Sequence, residues 1–251
     1  MRTFAARSEK ESAGIKAAAA LSDAPGERDR RVLLGVEAVL ADADHARLRS
    51  LRPVVEGCAD TPLRRFVLGA VMLAEGRVRE AEALVAEALA GPEGRGQAWS
   101  RRAAAGHATV QMLLGRWEQA CTTARWALQG EIGWGRGAAL QALAVSLIQL
   151  GRLDGVKELL AELATQPGGH GDLDVLGTVG LLKLWSDDLE GAAADLQVVA
   201  SRARGGELAA AFIPGLGALG EAHYRRGDWD QAVVHGELAV TLARDIDPPS
   251  A

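Results

Sequence analysis

Apolar residues recur along the chain at helical spacing, and the runs come in pairs divided by one small turn residue. LAEGRVREAEALVAEAL, LLGRWEQACTTARWAL, QLGRLDGVKELLAEL and RRGDWDQAVVHGELAV all show this arrangement. In each, an apolar run reaches a glycine, one polar residue follows, and an apolar residue opens the next run. The turn residues are Gly76, Gly115, Gly151 and Gly227, and two weaker copies place Asp187 and Asp42 at the same point. Successive turns from Asp42 onward are 34, 39, 36, 36 and 40 residues apart. Self-similarity at this period predicts stacked helical hairpins.

Positions not used to find the period repeat as well. Seven residues before each turn stand Gly35, Gly69, Ala108, Ala144, Gly180 and Gly220, every one small. Five residues after it stand Ala81, Ala120, Ala192 and Ala232, with Val156 and Arg47 as departures. Twelve residues after it, Ala88, Ala127 and Ala239 alternate with the larger Val54, Leu163 and Val199. Small residues on both helices let the two backbones approach. Gly or Asp at the turn tolerates the left-handed backbone that a sharp reversal needs. Each hairpin leaves apolar surface uncovered, so neighbours must stack. The predicted fold is all-α, a right-handed solenoid of about six helical hairpins. Residues 1–27 form an N-terminal helix or partial repeat ending in a turn at Asp23-Ala24-Pro25-Gly26, 28–245 the repeats, and 246–251 a tail.

Composition agrees. The chain of 251 residues is 48% hydrophobic but only 4% aromatic, so its apolar mass is Ala, Leu and Val, residues suited to helices. With 33 acidic against 28 basic side chains and a net charge of -5, the surface is not that of a nucleic-acid binder. No apolar run is long enough to span a membrane, and the N-terminus lacks the apolar core of a signal peptide. A cytoplasmic location is expected. Cys58 and Cys121 have no metal-ligand spacing and read as small buried hydrophobes.

A search for chemistry returns little. Gly133-Trp134-Gly135-Arg136-Gly137 lacks the Lys-Ser/Thr of a phosphate loop and reads as a linker. His45, His107, His170, His223 and His235 form no metal-binding array, and His107 and His223 fit packed or hydrogen-bonded structural roles. No nucleophile elbow occurs. The expectation is a protein that is not an enzyme and has no cofactor. Six tryptophans against one tyrosine stand out. Trp117 and Trp229, at equivalent positions, read as packing residues. Trp99, Trp126 and Trp134 fall close together, as gap-fillers in an Ala-rich core or as the lining of a pocket.

GRWEQA (115–120) and GDWDQA (227–232) resemble the turn of the tetratricopeptide repeat. That resemblance implies a groove lined by the first helix of each hairpin. Carried over position by position, it nominates Phe66 and Leu73 in the second hairpin, Arg102 and Met112 in the third, and Gln141, Ile148 and Gln149 in the fourth. Leu184 and Trp185 follow in the fifth, with Glu221, Tyr224 and Arg225 in the sixth. Such a groove is largely apolar and suits a protein or peptide partner or a small apolar effector. The stretches LRPVVEGCADTPLRRFVLGAVMLAEGRVREAEALVAEAL and GEAHYRRGDWDQAVVHGELAVTLARD resemble, more specifically, the helical-repeat region of large LuxR-type (MalT-like) bacterial transcription regulators. The implied role is that of a regulator's effector- or partner-sensing arm. Two alternatives stay open: a free-standing scaffold, and small-molecule binding or catalysis in the groove. Oligomeric state is not readable from the sequence.

Overall fold

The computed structural model describes residues 24–41, 45–91, 94, 96–130, 133–165, 172–204 and 212–246. The expected helix over 1–22, the Asp42 turn, His170, the linkers over 166–171 and 205–207, and the tail over 247–251 lie outside them. Among the described residues all regular structure is helical. In chain order the helices are α1 (Pro25–Ala41), α2 (His45–Ser50), α3 (Arg52–Glu56), α4 (Pro62–Ala74) and α5 (Val78–Leu89). Next come α6 (Ser100–Leu113), α7 (Trp117–Leu128), α8 (Arg136–Gln149) and α9 (Leu153–Thr165). The last four are α10 (Leu173–Trp185), α11 (Leu189–Arg204), α12 (Phe212–Arg226) and α13 (Trp229–Ile246).

Five hairpins, α4–α5 through α12–α13, turn where the spacing puts them. Gly76, Gly115, Gly151 and Gly227 have φ between 64° and 84°, and Asp187 takes φ 67° as the one described non-glycine residue with positive φ. Each turn closes by the same two bonds. The Arg77 amide donates to the Met72 carbonyl at 2.9 Å and the Gly76 amide to Leu73 at 3.0 Å; Asp188 to Lys183 and Asp187 to Leu184 repeat the pattern at 3.0 and 3.3 Å. These bonds satisfy carbonyls that a helix end leaves without a partner. Helix starts are capped where the sequence allows: Thr61 Oγ1 accepts from the Arg64 amide, and an Asp172 carboxylate oxygen accepts from Asp174 and Val175.

The small residues sit at the hairpin crossings. A Cβ on Gly69 would come 2.5 Å from Val85 Cγ2, and one on Gly180 would come 2.7 Å from Leu196 Cγ. Ala81, Ala108, Ala120, Ala144 and Ala192 are fully buried. Where the small-residue rule lapses, the packing changes. Hairpin α8–α9 carries Val156 where the other four of these five hairpins carry Ala, and α9 lies more loosely on α8 than the second helix of any of those four on its partner. The buried Val156 stands between the two backbones where Ala would let them close.

The first hairpin departs from expectation. Its second limb is two short helices, α2 and α3, rather than one. Pro53 has no amide to continue the hydrogen-bond ladder, and its ring excludes the carbonyl four residues back, so the chain bends at Leu51. Pro25 also departs: it opens α1 instead of sitting in a turn, since its fixed φ suits a first helical position. Phe66, Trp99, Val67 and Val71 belong to a core shared by the first three hairpins; Leu140, Leu143 and Leu147 centre the next, and Leu196, Leu216 and Leu219 the last.

Candidate functional site

First helices α6, α8, α10 and α12 follow one another along one face of the array. Between α8, α10 and α12 this face holds a small pocket, with enclosed room for little more than one water. Gly137 and Gly177 give it a floor without side chains, Leu181 and Pro214 make apolar walls, and Gln141 and Thr178 supply polarity. Gly137 also admits the Asp174 carboxylate, which a Cβ there would strike. The Thr178 hydroxyl donates to the Asp174 carbonyl at 2.8 Å, leaving its oxygen as an acceptor. Among the described residues Gln141 has no hydrogen-bond partner, so its carboxamide offers two donors and an acceptor to whatever enters. A second, more open hollow lies toward the N-terminal end between α1 and the start of α4, walled by Asp29, Arg30, Thr61, Gln97 and Trp99.

The groove residues nominated from the sequence divide into groups. Gln141 lines the cavity. Leu73, Met112, Ile148 and Trp185 are half-buried, and Gln149, Glu221 and Tyr224 are exposed. Phe66 and Leu184 are instead buried in the core, and Phe66 stacks on Trp99 with ring centroids 5.7 Å apart. Arg102 donates to the buried Glu37 carboxylate at 2.6 Å, a pair joining α6 to α1. Arg225 reaches back one hairpin, donating to the Leu184 carbonyl at 2.9 Å and to Asp187 at 2.7 Å. Both arginines therefore lock hairpins together.

The tryptophans do not converge. Trp99 is buried on Phe66, Trp126 lies beneath the Arg101 guanidinium at 4.4 Å, and Trp134 faces outward. Trp229, expected to pack, is 68% exposed, while Trp117 at the same register is half-buried.

Among the described residues, Gln111 Oε1, Ser146 Oγ and His235 Nδ1 are buried polar atoms without a hydrogen-bond partner. The His235 ring stacks on His223 with centroids 5.4 Å apart, and His223 Nδ1 lies 3.3 Å from Asp228. Burial, with His223 and Arg204 nearby, pushes the His235 pKa down; burial does the same to His107. His107 Nε2 lies 3.3 Å from Gln111 Nε2, and the sequence reading of His107 and His223 as structural residues fits these contacts. Cys58 and Cys121 are free and buried, and burial pushes both thiols up, away from the reactive thiolate. Among the described residues no cluster of His, Cys, Asp or Glu could hold a metal ion, and no helix is long and apolar enough to cross a membrane.

No protein-family model and no curated protein matches the sequence. Solved structures do match. A chain of the APC/C hetero-tetramer Cut9-Hcn1 aligns over 86% of this chain with 15% identity and a TM-score of 0.63. This chain spans 41% of that one's length. A MamA RS-1 ArsTM double mutant aligns over 75% of this chain and 98% of its own, with 18% identity and a TM-score of 0.43. BtubC (BKLC) from P. vanneervenii aligns over 96% of this chain and 94% of its own, with 19% identity and a TM-score of 0.47. The Cut9-Hcn1 likeness, over nearly the whole array, makes the fold an all-α solenoid of tetratricopeptide-like helical hairpins.

Proposed function

We propose that this chain is a non-catalytic binding module whose first-helix face takes an apolar segment of a protein partner. The observation that carries the reading is the glycine-floored cavity between α8, α10 and α12, with the unpaired Gln141 carboxamide at its edge. A carboxamide can donate to a peptide carbonyl and accept from the neighbouring amide, while Leu181 and Pro214 cover apolar side chains. The tetratricopeptide-like fold supports the same reading, since its solenoid presents a continuous row of first helices to a ligand. The sequence resemblance to LuxR-type regulators suggests that the module serves as the sensing arm of such a regulator.

Selection from a random peptide library tests the proposal. Apolar peptides should be enriched on the wild-type chain. Gln141→Ala and Leu181→Glu should each weaken the best peptide at least ~10-fold, about 1.4 kcal/mol, without changing helicity. Equal affinity for both variants and the wild type would remove the cavity as the site. A small apolar compound that stabilises the wild type but not Leu181→Glu, with no peptide enriched, would make the occupant an effector instead.

A further inference from the structure

We infer that the open cleft between α7 and the start of α9 is a separate docking site, and that it takes an acidic segment of a protein partner. Arg125 of α7 and Arg152, at the turn before α9, line it together with Cys121, Leu147, Leu153 and Gly155. Both guanidiniums are exposed and both act electrostatically on the Cys121 thiol, so they converge on one part of the cleft. Among the described residues neither has an ion-pair or hydrogen-bond partner. Glu118, which also acts on that thiol, pairs with neither, and Asp154 is engaged by Lys157 at 3.5 Å. The cleft shares no lining residue with the pocket between α8, α10 and α12.

The equivalent arginines of the two preceding hairpins do have partners. Arg77, Arg116 and Arg152 each directly follow a turn glycine. Arg77 donates to Glu80 at 2.7 Å and to Glu75 at 3.4 Å, and Arg116 reaches back one hairpin to Glu82. Counted from the turn, Glu80 corresponds to Gly155, Glu75 to Leu150, and Glu82 to Cys121. Each carboxylate that holds an equivalent arginine is thus replaced by a neutral residue around Arg152, and Arg125 adds another cation. Arg152 also stands at the positive end of the α9 dipole, which favours an anion and disfavours a lone cation. In a chain of net charge -5 this surplus is local, and an incoming carboxylate would neutralise it.

The chemistry of the cleft selects its occupant. A guanidinium fork meets a carboxylate through two parallel hydrogen bonds, so Arg125 and Arg152 suit Asp or Glu side chains. Leu153, 60% exposed, offers apolar surface beside them for a neighbouring side chain of the same segment. The cleft is open, whereas a small-molecule site encloses most of its ligand. A chain segment laid across it therefore fits better than a metabolite. Because α9 lies loosely on α8, a segment held by Arg125 and Arg152 together would also tie α9 to α7.

A random peptide library selected on the full chain and counter-selected on Gly155→Glu tests this. That substitution rebuilds on Arg152 the pair that Arg77 makes with Glu80, and its Cβ meets the end of the Leu147 side chain rather than backbone. Enriched peptides should carry Asp or Glu beside an apolar residue. Arg125→Ala and Arg152→Ala should each weaken the best of them at least ~10-fold with helicity unchanged, since each removes a charge-assisted contact. Both arginines are exposed, so these variants keep the test decisive if Gly155→Glu misfolds. Raising salt from about 0.05 to about 0.5 M should weaken binding several-fold, and bound peptide should slow hydrogen exchange over α9. Gln141→Ala and Leu181→Glu should leave these peptides unaffected, which separates this site from the apolar one proposed above. Enrichment of neutral or basic peptides alone, or acidic peptides indifferent to both arginine variants, would overturn the inference. Citrate that protects α9 through Arg125 and Arg152, with no acidic peptide enriched, would overturn the protein partner in favour of a small anion.

Discussion

At the scale of single residues, His235 concentrates two costs in one place. Its ring is buried, its Nδ1 has no partner, and it stacks on a second imidazole, with Arg204 close enough to oppose a positive charge. His223 faces it from α12, and Asp228 and Arg226 in the following turn hold an ion pair at 3.5 Å. The folded protein therefore favours neutral His235, with a pKa below the ordinary 6.5 that the unfolded chain retains. Between those two values the unfolded chain binds more protons, so stability rises with pH there. It is fully present above pH 6.5, falls as the pH drops below it, and levels off beneath the folded value. His107, lowered by burial in the same direction, adds to the slope. His235→Phe keeps a flat ring on His223 and removes the proton site. Urea midpoints should show this variant losing less stability than the wild type between pH 8 and pH 5.5. Equal slopes would mean that His235 does not titrate in this range.

At the scale of the element, the hairpin crossing controls how closely two helices approach. Ala120 is fully buried where α6 and α7 meet, and any larger side chain there has nowhere to go. Ala120→Leu should lower stability by about 1–3 kcal/mol, read as a fall in urea midpoint at constant slope. Ala232 occupies the same register on α13 but is only half-buried, so Ala232→Leu should cost less. Equal losses in the two variants would mean that register alone, and not enclosure, sets the cost.

The same contrast shows which elements were legible beforehand. A left-handed turn admits few residue types, so Gly76, Gly115, Gly151, Asp187 and Gly227 announce themselves in the sequence. Close crossings demand small residues, and Gly69 and Gly180 were readable for that reason. Groove positions were not, because counting residues from a turn assumes one hairpin geometry throughout. Phe66 fell into the core since Trp99 offered it a stacking partner, a contact between positions 33 residues apart that no local pattern encodes. Gln141, counted from Gly151, does line the pocket between α8, α10 and α12, although its hairpin breaks the small-residue rule. Trp229 misled because the residue that opens a second helix need not be enclosed, as Leu153 at the same register is 60% exposed although α10 follows it.

At the scale of the whole molecule, a solenoid has no single core, and its stability is a chain of local interfaces. Those interfaces are unequal. Hairpin α4–α5 crosses tightly at Gly69 and is pinned by Arg52 to Glu75 at 2.9 Å, while Arg102 and Glu37 tie α6 to α1. By contrast α9 is held off α8 by Val156, and it exposes Leu153, Asp154 and Lys157 beside an open cleft that Cys121, Arg125 and Arg152 also line. Helix α9 also packs lightly on α10, so its opening breaks few contacts in either direction. Local opening should therefore begin at α9 while the flanking hairpins stay closed. Native-state hydrogen exchange is the direct measurement: amides over Leu153–Thr165 should exchange by a sub-global opening, well ahead of those in α4 to α6. Val156→Ala removes this spacer, and where α9 settles onto α8 in response, its protection should rise toward that of α5 or α7. Uniform protection across the array would show that the hairpins unfold as one unit, and that the spacing at this crossing does not govern where the solenoid opens.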